Sequence, residues 1–261
     1  MLTIVKLSFY ATCQKNIKLI KKAMDTKDFE NFKQEVSWFV GQNDSVEINI
    51  ISKTFSPEFI NTFPTLYQLL LQSTSILSVD ITTSKNNKAN YYLYTWTDKN
   101  GFKCGWLCKI EQIHTEIDVL SEHQLLLDEM GGIKETYHCF DTETEMLTDN
   151  QNFIFIKSEL SKGLGDWIDL YDQVCKDENV KQIDTKDLVC FAEEANGNET
   201  FYDPNTKQVL LFATDHSFEN VEVLKEQSEY TFYTINRVTT FVDYVETLAQ
   251  QWLENIITDE L

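Results

Sequence analysis

The stretch LVCFAEEANGNETFYDPNTKQVLLFATDHSF, residues 188–218, decides how the chain is read. It holds three runs rich in Val, Leu, Phe and Tyr, at Leu188–Ala192, Thr200–Tyr202 and Gln208–Ala213, split by Asn196-Gly197-Asn198 and by Asp203-Pro204-Asn205-Thr206. Asn-Gly tolerates the positive φ of a tight hairpin turn, while Asp-Pro-Asn presets a turn's first φ and supplies side chains that bond their own backbone. The expectation is a three-stranded antiparallel meander. Glu193, Glu194 and Glu199 crowd its first turn and Asp215-His216 follows its third strand, so the sheet should carry a carboxylate-rich rim.

Downstream, Val238, Phe241, Val242, Val245, Leu248, Ala249, Trp252, Leu253 and Ile256 recur at helical spacing, and Thr240 with Asp243 forms a capping-box pattern. This helix should lie on the meander. Upstream, Gly163-Leu164-Gly165-Asp166-Trp167-Ile168 lacks the third glycine and the strand-turn-helix setting of a dinucleotide fingerprint, and reads instead as the start of a helix. At 100° per residue, Trp167, Leu170, Tyr171, Val174 and Cys175 share one face, and Asp166, Asp169, Asp172 and Gln173 the other.

The first half is read as α+β as well. Phe29, Phe32, Val36, Phe39 and Val40 predict a helix over 26–40, capped at Asp25 or Thr26, with Ile17–Lys22 as its extension or a separate turn. Val46, Ile48 and Ile50 alternate as a half-buried strand; Ser56-Pro57-Glu58 opens a helix that Pro64 interrupts or restarts. Ile76–Thr82 is a strand, and Tyr91–Trp96 pairs with Phe102–Ile113 across Asp98–Gly101. Ser84–Asn90 reads as a polar loop, and the polar Glu111–Asp118 stretch as a boundary before a helix that Gly131-Gly132 ends. The expected division is an N-terminal region, 1–115, and a domain, 116–261.

The order of GGI at 131–133, a Trp-containing helix, the AEEANGNETFYDP hairpin, LFATDHSF and the closing FVDYVETLAQQWL helix resembles the SUKH superfamily over roughly residues 118–257. These are bacterial immunity proteins related to the Knr/Smi regulators of cell-wall synthesis. The resemblance implies an α+β fold with a mixed, largely antiparallel sheet, no enzymatic activity, and binding that blocks a toxin, often a nuclease. Residues 1–115 lie outside it.

Composition sets further bounds. With 42% hydrophobic and 25% charged residues, 261 residues suffice for a core without disulfide staples. No apolar run reaches the roughly 20 residues of a membrane span, and the apolar start before Lys6 is too short for a signal peptide, so a cytoplasmic protein is expected. The net charge of −20, with Arg237 the single arginine, disfavours nucleic acid and anionic membranes and favours basic partners; it is also what solubility alone would select.

Cys13, Cys104, Cys108, Cys139, Cys175 and Cys190 show no framework spacing. Cys104 and Cys108 alternate with Trp106 on one strand, where residues four apart stand ~13 Å apart, too far for one zinc. No metal, cofactor or catalytic residue is assigned. His114, His123, His138 and His216 offer few bases, and neighbouring Asp215 and His216 do not meet on a strand. The function expected is a monomeric, non-enzymatic immunity protein that neutralises a basic, nuclease-like toxin; the alternative is an intracellular scaffold with no toxin partner. The candidate partner-binding residues are Asp166, Asp169, Asp172, Glu193, Glu194, Glu199 and Asp215, with Tyr171, Tyr202 and Phe218 as aromatic anchors whose other reading is core packing.

Overall fold

The computed structural model describes residues 27–112, 116–137, 140, 142, 145–214 and 220–258. Within them the chain is α+β, and twelve strands join in one antiparallel sheet. The first half contributes β1 (Ser45–Ile50), β2 (Ser75–Thr82), β3 (Lys88–Thr97) and β4 (Lys103–Ile110). Then come β5 (Gly132–Tyr137), β6 (Gln151–Ile154), β7 (Ser161–Lys162), β8 (Val189–Glu194), β9 (Glu199–Tyr202), β10 (Val209–Phe212), β11 (Val221–Val223) and β12 (Phe232–Ile235). They lie in the order β1-β2-β3-β4-β5-β6-β8-β9-β10-β12-β11, with β7 beside β8.

The predicted meander is β8, β9 and β10. Gly197 supplies the positive φ of the first turn, at 89°; in the second, Lys207 takes a positive φ of 62°. Asp203 organises that second turn, its carboxylate accepting from Asn205 N at 2.8 Å and Thr206 Oγ1 at 2.8 Å.

The helices are α1 over 27–35, α2 (Pro57–Thr62), α3 (Pro64–Leu71), α4 (Ser121–Glu129), α5 (Ile168–Glu178) and α6 (Phe241–Leu253). Ser56 caps α2 by accepting from Phe59 N at 3.2 Å, with Pro57 at the first helical position. Pro64 restarts the helix as α3, because its missing N–H is harmless only there. Thr240 and Asp243 form the capping box of α6, each accepting from the other's backbone N–H.

Side chains alternate across the pleat, and the sheet is covered unequally. One face carries α2, α3, α4 and α6 over a continuous core in which Trp106 and Cys108 of β4 join Phe191 of β8 and Leu211 of β10. The other face has two separate covers. There α1 and the turn after it set Phe29, Phe32 and Val36 on Leu77, Leu93 and Leu107, while α5 sets Tyr171 and Cys175 against Phe201, Phe212 and Phe232.

The expected division at 115/116 separates neither sheet nor core. Helix α6 crosses it: Phe241 and Tyr244 sit on Phe191, with ring centroids 5.3 and 5.0 Å apart, and Trp252 reaches Trp96 and Trp106 at 5.4 and 4.9 Å. Beyond the helix, Ile257 N donates to Thr97 O at 2.8 Å.

Local expectations shift at a few points. Helix α1 stops at 35, and 36–40 form turns in which Phe39 and Val40 still pack half-buried; this Val-, Trp- and Phe-rich run has little intrinsic helicity. The loop expected over Ser84–Asn90 is shorter, since β3 already begins at Lys88. Thr83 N donates to Asn87 O at 2.9 Å and Asn86 N to Thr83 O at 2.8 Å, closing a tight turn. Strand β4 ends at Ile110; Ile113, Ile17–Lys22 and the caps Asp25 and Thr26 lie outside the described residues.

Candidate functional site

The two covers on the α1/α5 face do not meet, and the sheet between them forms the floor of a cleft of about 430 Å³. Lys134 and Glu135 come from β5, Gln151, Asn152 and Phe153 from β6, and Glu193 from β8. Its sides are Trp38, which follows α1 and is 72% exposed, and Glu159 in the turn before β7. One exposed aromatic side chain, Trp38, and three carboxylates thus face one opening, with the buried Phe153 in its floor.

The strand register explains the charge grouping. Glu193 and Glu199 are cross-strand neighbours on β8 and β9. Asn152 Nδ2 donates to Glu193 Oε1 at 2.9 Å. Burial, and then the negative charge of Glu193, push the Glu199 carboxyl up to about 7, and its Oε2 is buried with no hydrogen-bond partner. Burial also raises Glu135, against the pull of Lys134 and a hydrogen bond from Trp38.

Glu194 does not belong to this group. Being next to Glu193 on a strand, it points to the opposite face, where it is buried and accepts from Asn198 Nδ2 at 3.0 Å. With Thr200 and Tyr244 it lines a cavity of about 60 Å³ on the α6 side.

Tyr171 and Tyr202, named as aromatic anchors or core residues, are both buried in the core. The Tyr171 hydroxyl donates to Gln227 Oε1 at 2.6 Å and accepts from Ile183 N at 2.9 Å. Tyr202 meets His123, which is fully buried and stacked on Phe241 at 4.6 Å. The Phe155 carbonyl can only accept, so His123 Nε2 carries the proton and donates to it at 2.9 Å, leaving Nδ1 to accept from Tyr202 at 3.2 Å. Burial lowers the His123 pKa to about 4, which fits a neutral packing group cut off from solvent.

Asp166, in the 3₁₀ turn Gly165–Trp167 before α5, and Asp169 on α5 are exposed as expected, while Asp172 is half-buried and accepts from Gln182 Nε2 at 2.6 Å. Leu170, expected inward, is 42% exposed beside Ile168 at 40%. Tyr171 and Cys175, one turn apart, are the buried positions of that face, so the helix seats a narrow stripe centred on them, and Leu170, 100° from Tyr171, falls at its edge. Exposed apolar side chains therefore stand among the aspartates. Asp215 and Phe218 lie outside the described residues, as do Cys13, Cys139, His114, His138 and His216.

Cys104 and Cys108 are buried free thiols on the Trp106 face of β4, and burial pushes Cys104 up to about 12. Among the described residues no three His, Cys, Asp or Glu side chains are grouped to hold a metal, and no helix is long and apolar enough to cross a membrane. Trp38, Glu135 and Glu159 had no signal in the sequence, because strand order alone brings them to Glu193. No family model, curated protein or solved structure matches the chain.

Proposed function

We propose that the chain is a non-enzymatic immunity protein that binds and blocks a basic, nuclease-type toxin. The observation that carries this reading is the α1/α5 face, where Trp38 stands over a cleft with Glu135, Glu159 and Glu193, and Ile168 and Leu170 stand among Asp166 and Asp169. Binding energy at protein interfaces concentrates in a few aromatic and aliphatic anchors, while surrounding charge sets partner choice and encounter rate. A face with both features, on a chain of net charge −20, suits Lys- and Arg-rich surfaces. The SUKH-like order of motifs supports the same reading from the sequence side.

The test is co-expression with basic, nuclease-type toxin domains, any encoded next to this chain's gene first. The wild-type chain should restore growth and co-purify with the toxin, and Trp38→Ala combined with Glu159→Lys and Glu193→Lys should do neither while keeping its thermal melt. Failure of the wild-type chain to protect or bind would leave the scaffold reading in its place.

A further inference from the structure

A second and larger groove, of about 980 Å³, runs along α1 from Lys27 to Glu35, between that helix, the end of α3 and the Gly101–Lys103 turn. Its character is opposite to that of the acidic cleft. Ile50, Phe55, Leu70, Leu71, Ile76 and Phe102 form its apolar lining, and three of these, Ile50, Leu71 and Phe102, are 43%, 48% and 61% exposed. Three lysines, Lys27, Lys53 and Lys103, also line it, a notable share in a chain with 22 cationic residues against 42 acidic ones.

The lysines are not equivalent. Lys103 Nζ donates to Thr74 Oγ1 at 2.9 Å and lies 3.7 Å from Asp28 Oδ1. Asp28 is itself occupied, its Oδ2 accepting from Ser75 Oγ at 2.7 Å and Thr95 Oγ1 at 3.3 Å. Lys53 has no such arrangement. Its ammonium lies over the rings of Tyr92 and Phe55, 4.9 and 5.5 Å from their centroids, and among the described residues no carboxylate comes within ion-pair distance of it. It is half-buried, and burial lowers its pKa against the opposing charge of Glu129. Ser73, on the same groove, has a buried hydroxyl with no hydrogen-bond partner.

We propose that this groove binds a small carboxylate with an apolar body, of the fatty or aryl carboxylate class, its carboxylate seated on Lys53 and its body on the Leu70, Leu71 and Ile76 wall. The volume is that of a small-molecule site, and such sites combine a mostly apolar lining with a few placed polar groups. An ammonium half-buried over aromatic faces, with Glu129 acting on it only from beyond ion-pair distance, is short of acceptors, and a carboxylate supplies two oxygens for its three donors. Asp28 and Glu35 on the α1 wall disfavour a second negative charge there, so the charged end is fixed at Lys53. A protein partner on the acidic face plays no part in this inference.

Decanoate, kept below its micellar concentration, and decanol, with the same body and no charge, are titrated by calorimetry into the full chain. Decanoate should bind at one site per chain. Lys53→Met should weaken decanoate by about tenfold or more, as loss of a charge-assisted hydrogen bond implies, and decanol by less than about twofold. Lys53→Arg, which keeps the charge, should retain decanoate binding, and Leu71→Asp should weaken both ligands. No binding of decanoate, or equal losses of both ligands in a Lys53→Met protein of unchanged near-ultraviolet dichroism, would overturn the assignment.

Discussion

Glu193 and Glu199 stand directly opposite one another on β8 and β9, two carboxylates with no cation in the pair. Like charges opposed across strands destabilise a sheet, and here the strain is relieved by Glu199 holding its proton to about pH 7. The folded protein thus binds a proton that the unfolded chain, with an ordinary carboxyl near 4.5, has released. Stability from this group is fullest below about pH 4.5 and is lost as pH rises to about 7. Glu199→Gln should raise the urea midpoint at pH 8 and leave it nearly unchanged at pH 4.5. An equal shift at both values would assign the effect to packing alone.

His123 works in the opposite direction. Its folded pKa, about 4, lies below the ordinary 6.5, so between these values the unfolded chain binds the extra proton. Stability is intact above about pH 6.5 and falls as pH drops toward 4, by up to ~3 kcal/mol at ~1.4 kcal/mol per unit. In His123→Gln the midpoint should be lower at pH 7 but its decline between pH 6.5 and 4 shallower. A slope unchanged from wild type would remove His123 as its source.

Trp252 packs against both Trp96 and Trp106, which also touch each other, with Phe140 at 4.9 Å and its indole N–H donating to Thr148 Oγ1 at 3.0 Å. Trp252→Ala should cost ~3 to 5 kcal/mol by denaturant unfolding. The loss should appear in one transition, because strands from both halves share this core. A loss under ~1 kcal/mol, or two separate transitions, would contradict the packing described.

If the proposed function holds, binding to a basic toxin should be fastest at low salt and slow as the Debye length falls from ~10 Å at 0.1 M to ~3 Å at 1 M, while dissociation changes less. Location is tested by replacing Glu159, Asp166, Asp169 and Glu193 with Lys, against a control replacing Glu47, Glu222, Glu226 and Glu229. Both sets carry the same charge, so long-range steering is matched, and the first should lose far more affinity. Equal losses would leave bulk charge as the sole determinant.

Elements whose signals are local were legible in the sequence. The Asn-Gly turn, the capping box of Thr240 and Asp243, and the restart at Pro64 each depend on a few neighbouring residues and stand where expected. The α5 face was read too wide at Leu170, because a projection gives a residue's angle and not how much of the helix its neighbours cover. The cleft was beyond reach for a different reason. Trp38, Glu135, Glu159 and Glu193 meet only once β5, β6 and β8 have taken their places, and no local pattern encodes which strands become neighbours.

The course of α6 has a consequence for synthesis of the chain. Trp96 and Trp106 are made early, yet the indole that packs against both belongs to residue 252. On the ribosome, the first strands therefore emerge and wait, their aromatic faces open, until nearly the whole described chain has been translated. Nascent chains halted before this helix should be held by chaperones that bind aromatic segments, and release should coincide with the arrival of Trp252.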